Sequence, residues 1–176
     1  MATLFDNQIQ NRNFLSPIGF KFTLTRYPKV NFFCNYARIP EISLGTAIQS
    51  SPFKDLDVPG EKLTYGDFNL RFLVDENLEN YLQIHNWLRG LGFPEKFEEY
   101  TNLNTNSLGS VDENLQFSDG TLFILNSNYN KVGTLVFKDL FPVSLTSLEF
   151  EATQDTVNYL TADVTFKYTI YDIVTD

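Results

Sequence analysis

Val157-Asn158-Tyr159-Leu160-Thr161-Ala162-Asp163-Val164-Thr165-Phe166-Lys167-Tyr168-Thr169-Ile170-Tyr171 is the stretch whose reading decides the fold. Leu160, Ala162, Val164, Phe166, Tyr168 and Ile170 fall on one side. Tyr159, Thr161, Asp163, Thr165, Lys167, Thr169 and Tyr171 fall on the other. Alternation at period two is the mark of a strand with one buried and one wet face. At ~3.3 Å per residue the segment spans roughly 50 Å, whereas the commonest strands have about five or six residues. A strand of that length reads as one that outruns its own domain.

The same signal recurs upstream. Ile18, Phe20, Phe22 and Leu24 alternate with Gly19, Lys21, Thr23 and Thr25; Tyr27-Pro28-Lys29 turns the chain, and Val30 to Ala37 reads as the returning strand. Phe68, Leu70, Phe72 and Val74 form another apolar face opposite Asp67, Asn69 and Arg71. Thr121–Leu125 and Val132–Phe137 flank a hairpin turn at Asn126 to Asn130, and Leu148, Phe150 and Ala152 open a further pair. Pro40 to Phe53 reads as an irregular excursion over a surface or a neighbour, followed by a Pro-Gly turn at Asp57-Val58-Pro59-Gly60.

One helix is expected. Asp75 is placed to accept from free N–H groups at its start, and Glu76 and Glu79 suit its positive end. Leu78, Tyr81, Leu82, His85 and Leu88 repeat at helical spacing before Gly90 and Gly92. The fold class is therefore mainly β, an antiparallel β-sandwich or barrel with one flanking α-helix. Residues 1–17 read as a polar N-terminal arm, and residues 18–174 as a single β domain with loop insertions near 40–53 and 94–119.

Composition agrees with strands. The chain of 176 residues is 43% hydrophobic and 15% aromatic, with Phe 17 and Tyr 9 against Trp 1 and Met 1. That is enough apolar content for a core, in the side chains that suit pleated surfaces. The net charge of −9 argues against gripping phosphates, since nucleic-acid affinity comes largely from Lys and Arg displacing counterions. An acidic wall that keeps DNA from sticking is compatible with it, as is plain solubility. The single cysteine, Cys34, lies in an apolar stretch and reads as a small buried hydrophobe. No apolar run has the length that spans a bilayer, and Met1 to Arg12 lacks the pattern of a secretion signal.

Catalytic patterns are missing from the sequence. His85, the only histidine, reads as a core or edge residue of the helix; no nucleophile elbow and no phosphate-cradling glycine loop is present. One His and one Cys cannot furnish the usual structural zinc site. The expectation is a protein that is not an enzyme and has no catalytic, cofactor-binding or metal-binding residues. Among its acidic pairs, Glu149 and Glu151 share a strand face at period two, roughly 7 Å apart. Together with Asp163 they are candidate channel-facing residues, should several copies close a ring with those faces inward.

Val58-Pro59-Gly60-Glu61-Lys62, followed by Tyr65, Asp67 and Phe68, resembles the tail tube protein family of contractile-tailed bacteriophages. There a valine–x–glycine–acid–base turn leads into an aromatic, acidic hairpin and then a helix bearing a tryptophan, here Asp75-Glu76 and Trp87. Phe33-Cys34-Asn35-Tyr36-Ala37-Arg38-Ile39-Pro40 and Leu140-Phe141-Pro142-Val143 fit as well, so the similarity covers roughly residues 18–92 and 132–173. Phe14-Leu15-Ser16-Pro17 and Tyr65 to Glu76 are also similar to cyanophage structural proteins. Leu63 is an extra residue relative to the pattern, and the tract Thr101–Ser118 has no evident counterpart.

The resemblance implies a structural virion protein with a tail-tube-like fold. Its partner would be itself, in hexameric rings stacked around a channel through which genomic DNA passes without specific binding. Tail sheath and baseplate or neck proteins would be neighbours, with no membrane involved. The location would be the virion tail, after assembly in the host cytoplasm. A tube-like adaptor, terminator or initiator at the tail end or baseplate is the alternative within this class. A carbohydrate-binding β-sandwich using Tyr129, Tyr159 and Tyr171 is the alternative from another class, and a hydrolase using Glu149 and Glu151 stands last.

Overall fold

A computed structural model describes residues 14–27, 33–92, 94–96, 98–100, 116–151 and 158–175. Among them the order is β1 (Phe20–Leu24), β2 (Phe33–Arg38), β3 (Ile42–Gln49), β4 (Leu56–Tyr65), β5 (Phe68–Leu73), α1 (Glu79–Gly92), β6 (Ser118–Leu125), β7 (Lys131–Leu145), β8 (Thr161–Lys167) and β9 (Ile170–Thr175). The fold is mainly β with antiparallel sheets and one main helix, as the alternation predicts. Residues 1–13 of the expected arm, and residues 101–115 of the expected insertion, lie outside the described residues.

Strand β7 joins two layers. Its first part pairs β6 on one side and β9 on the other, with β1 beyond β6; its last part pairs β8, followed by β5 and β2. The layers meet over a core of Phe22, Phe68, Phe137 and Phe166, where the Phe68 and Phe137 rings are 4.5 Å apart and Phe22 and Phe68 5.4 Å. Rings at such spacings add specific geometry to their burial.

The single long strand expected over Val157–Tyr171 is two: β8 ends at Lys167 and β9 begins at Ile170, and Val157 lies outside the described residues. Lys138 lies opposite Ile170 and Phe141 opposite Lys167, so two residues on each strand occupy a corner between β8 and β9. Asp139 takes φ 55 there, a left-handed conformation that rotates the chain. The core-facing set therefore changes from Ala162, Val164 and Phe166 to Tyr171, which is 8% exposed, while Ile170 is 37% exposed. The strict alternation placed these last two the other way round. Both strands invert together, since Leu135 and Phe137 face the core before the corner and Leu140 and Pro142 after it.

Three other expectations change. Glu149 was expected on a strand beginning at Leu148, but residues 146–151 form none, and Phe150 is exposed; Ala152 lies outside the described residues. The ladder ends where Thr146 N–H donates to the Asp163 carbonyl and Asp163 N–H donates to Thr146 Oγ1. Helix α1 starts at Glu79 and not beside Asp75, whose carboxylate instead accepts from Glu76 N–H before the left-handed Leu78. Its buried face is Asn80, Ile84, Trp87 and Gly90, which leaves His85 and Leu82 exposed. Asn80 sets that rotation: its side chain donates to the Leu73 carbonyl at 2.8 Å and accepts from Asp75 N–H at 3.1 Å. Trp87 fills the core against Phe166 and Tyr27, with its indole N–H donating to the Gln116 carbonyl.

Candidate assembly surface

The expected irregular excursion is a β-hairpin. Among the described residues, strands β3 and β4 pair only with each other, in a two-stranded sheet apart from the seven-stranded one. Asp57-Val58-Pro59-Gly60 is not the turn; it lies within β4, and the chain reverses at residues 50–55, where Ser50 Oγ donates to Asp55 Oδ1. The Pro-Gly pair instead makes an irregularity in the ladder between Leu44 and Thr46. A Cβ on Gly60 would sit 2.5 Å from the Gly45 carbonyl oxygen, so only glycine permits that approach.

Among the described residues most of this hairpin is left exposed. Residues opposite each other on antiparallel strands share a face, which places Ile42, Leu44, Leu63 and Tyr65 together. Exposure is 51% at Ile42, 50% at Leu44, 55% at Leu63, 68% at Ile48 and 99% at Phe53 in the reversal. An isolated two-stranded hairpin is marginal in water, and an apolar patch left open on one marks an interaction site.

Its foot is fixed. Tyr171 O–H donates to the Pro40 carbonyl, Tyr168 O–H to the Gly66 carbonyl at 2.9 Å, and Gly66 N–H to the Glu41 carbonyl at 3.0 Å. The Tyr65, Tyr168 and Tyr171 rings meet edge-on at 5.8 to 6.2 Å, backed by Phe137. Loss of water around the Tyr168 phenol, with the neighbouring Tyr171, Asp67 and Tyr65 adding to it, pushes its pKa up to about 12.

A second surface is the wet face of β5 and β8. Arg71 Nε donates to Asp163 Oδ1 at 2.8 Å, Thr165 Oγ1 to Asn69 Oδ1 at 2.9 Å, and Lys167 Nζ to Asp67 Oδ1 at 2.8 Å. Asp163 thus sits on a polar sheet face, but beside a cation. Glu149 and Glu151 are exposed and off the sheet, so the structure does not bring the three carboxylates onto one strand pair. Tyr129 and Tyr159 are exposed whereas Tyr171 is buried, so the three tyrosines do not form one sugar-stacking platform. Cys34 is half-buried, as expected of a small hydrophobe, and burial pushes its thiol up to about 12. Among the described residues no three of His, Cys, Asp and Glu are grouped to hold a metal ion, and no helix is long and apolar enough to cross a membrane.

The chain belongs to the phage tail tube protein family, whose model matches residues 3–174. It is accordingly a structural component of a bacteriophage tail. Among solved structures, it is similar to a chain of the anti-feeding prophage tube-terminating cap, with 18% identity, a TM-score of 0.61 and 99% of each chain covered. It is also similar to a chain of the sheath–tube complex of an extracellular contractile injection system (20% identity, TM-score 0.58, 92% of each chain). A chain of that system's sheath/tube terminator aligns at 20% identity and TM-score 0.58, over 94% of this chain and all of the other, 100%. These likenesses establish the shared fold. No curated protein sequence matches the chain.

Proposed function

We propose that the chain is a ring subunit of the tail tube, with six copies to a ring and rings stacked around a channel for DNA. The observation that carries this is the β3–β4 hairpin, which among the described residues meets the body only at its foot and exposes Ile42, Leu44, Ile48, Phe53 and Leu63. A neighbouring copy is the economical cover, because rings of identical subunits satisfy such surfaces all round. Stacked rings would meet tail sheath outside and baseplate or neck proteins at the ends. A chain whose net charge is −9 adds repulsion around a lumen that must not hold DNA. In this reading Glu149, Glu151 and Asp163 face the channel, Asp163 with its charge balanced by Arg71. Chemistry on a substrate has no part in it.

Negative-stain microscopy of the purified protein tests the reading: rings or tubes are expected, and monodisperse monomers at high concentration overturn it. A second reading, a cap or terminator at the tube end, is favoured by the full-length alignment with the tube-terminating cap. Copy number per virion separates the two, many for a tube subunit and one ring's worth for a cap.

A further inference from the structure

We infer that the cross-strand pairs Arg71–Asp163 and Lys167–Asp67 hold the wet face of β2, β5 and β8 near electrical neutrality, so that duplex DNA passes against it without being gripped. The inference rests on the tube-subunit reading, in which Asp163 faces the channel, and names the residues that keep the wall from binding the phosphate backbone.

Register builds this face. Residues opposite each other on antiparallel strands share a side, so Tyr36, Arg71 and Asp163 form one row and Arg38, Asn69 and Thr165 the next. Asp67 and Lys167 meet beyond them. The charged residues of the three strands are Arg38, Arg71, Asp163 and Lys167, joined by Asp67 just ahead of β5. That sets three cations against two carboxylates in a chain whose net charge is −9, so the acidic excess lies elsewhere. The β1–β6–β7–β9 layer turns a different face outward, with Phe123 and Val136 half-buried and Ile170 and Val174 exposed. An apolar face of that kind suits protein; the polar one suits a water-filled channel.

The pairs do little for stability. The side chains of Arg71 and Asp163 are 47% and 44% exposed, and ion pairs in such reach of water stabilise a fold only slightly. What they change is the charge that the face presents. A free Arg or Lys that meets a phosphate releases a counterion, and each such contact adds salt-dependent affinity. Arg71 Nε, held by Asp163 Oδ1 at 2.8 Å, and Lys167 Nζ, held by Asp67 Oδ1 at 2.8 Å, already carry a counter-charge fixed in the protein. The Arg71 guanidinium also lies over the Tyr36 ring at 5.8 Å, a second contact that keeps it in place. Carboxylates alone would hold a duplex off, and cations alone would bind it. Alternating pairs, repeated by each copy, do neither.

Freeing the cations tests the balance. The variant Asp67→Asn/Asp163→Asn removes both carboxylates, and Glu76→Gln/Glu79→Gln makes the same change of net charge beside α1. Wild type and both variants are assembled, checked by negative stain, and offered two probes. One is a fluorescent linear duplex, whose ends can thread a channel; the other is a covalently closed circular plasmid, which has no end. Assemblies of Asp67→Asn/Asp163→Asn are expected to hold the linear duplex roughly tenfold or more tightly than wild type at low salt, to lose roughly tenfold or more for each doubling of salt, and to leave the circle free. Wild type and Glu76→Gln/Glu79→Gln are expected to retain neither probe. The inference is overturned by a linear duplex that Asp67→Asn/Asp163→Asn does not retain, by a circle retained as well as the duplex, or by equal retention on the α1 variant. Should Asp67→Asn/Asp163→Asn not assemble alone, mixtures with wild type decide: retention should rise with its share, and mixed assemblies that retain nothing overturn the inference. A wild-type chain that never assembles defeats the tube reading as well, whereas assemblies that all ignore DNA defeat only the charge balance.

Discussion

The phenolic O–H of Tyr171 donates to the carbonyl oxygen of Pro40 at 3.1 Å, so the last strand grips the foot of a hairpin that begins 131 residues earlier. Tyr168 holds the other foot through Gly66. The body thus sets the direction in which an otherwise unsupported pair of strands projects. Direction matters because a projecting element finds its neighbour only along the line its foot allows.

Replacing Tyr171 with Phe keeps the ring in the core and removes the donor. The Pro40 carbonyl is then left in a buried place without its partner, which costs about 1–2 kcal/mol. Urea unfolding should show that loss, and amide exchange at Ile42 should quicken. An unchanged midpoint would mean that the carbonyl finds another donor.

The helix gives a sharper contrast. Trp87 is fully buried against Phe166 and Tyr27, and Trp87→Ala leaves a cavity in the centre of the core. A loss of ~3–5 kcal/mol is expected in urea unfolding followed by far-UV circular dichroism. His85 projects into solvent, and His85→Ala should change stability by less than about 0.5 kcal/mol. Equal effects of the two would contradict the observed rotation of the helix.

Why these features differed in legibility is physical. Phe68, Leu70 and Phe72 alternate and are buried as read, because a period-two pattern is a local property of one strand. The exchange of Ile170 for Tyr171 in the core is set by Asp139 on another strand, at a corner that no pattern within residues 157–171 encodes. Helical spacing fits several faces; a buried Asn80, paired with Leu73 and Asp75, selected one that excludes His85. Pro59-Gly60 has the composition of a turn, yet its role depends on the close approach of Gly45 across the hairpin. That residues 40–53 stand off the core was legible in their polar, glycine-containing composition. Their pairing was not, since Ile42 faces Tyr65 across a reversal that only the fold reveals.

Alkaline pH should loosen the body. Burial raises the Cys34 thiol from its ordinary 9.0 to about 12, and chiefly loss of hydration raises Tyr168 from 10.0 to about 12. In both cases the folded chain keeps a proton that the unfolded chain releases. Unfolding is therefore favoured as pH rises through that window: stability from these groups is complete below about pH 9 and lost progressively up to about pH 12. Unfolding midpoints across this range check the sign. Thiol labelling adds a second reading, because Cys34 in the folded chain should react far more slowly at pH 9 than in urea. Fast labelling of the native protein would show that the thiol is not held in its neutral form.

Gly60→Ala separates the hairpin from the body. Its methyl group would meet the Gly45 carbonyl oxygen at 2.5 Å, a backbone contact that no side-chain rotation relieves. Strain of about 1–3 kcal/mol falls on a two-stranded ladder with little stability to spare. The core rests on Phe22, Phe68, Trp87, Phe137 and Phe166, none of which touches Gly60 or Gly45 in the ring contacts that hold the layers together. The variant should therefore melt with the wild-type core transition while its hairpin amides lose protection. If copies meet through the hairpin, ring formation by negative stain should fall with it, although the monomer remains folded. A variant that assembles as well as the wild type would show that the shape of the ladder at Gly60 is not what the neighbouring copy reads.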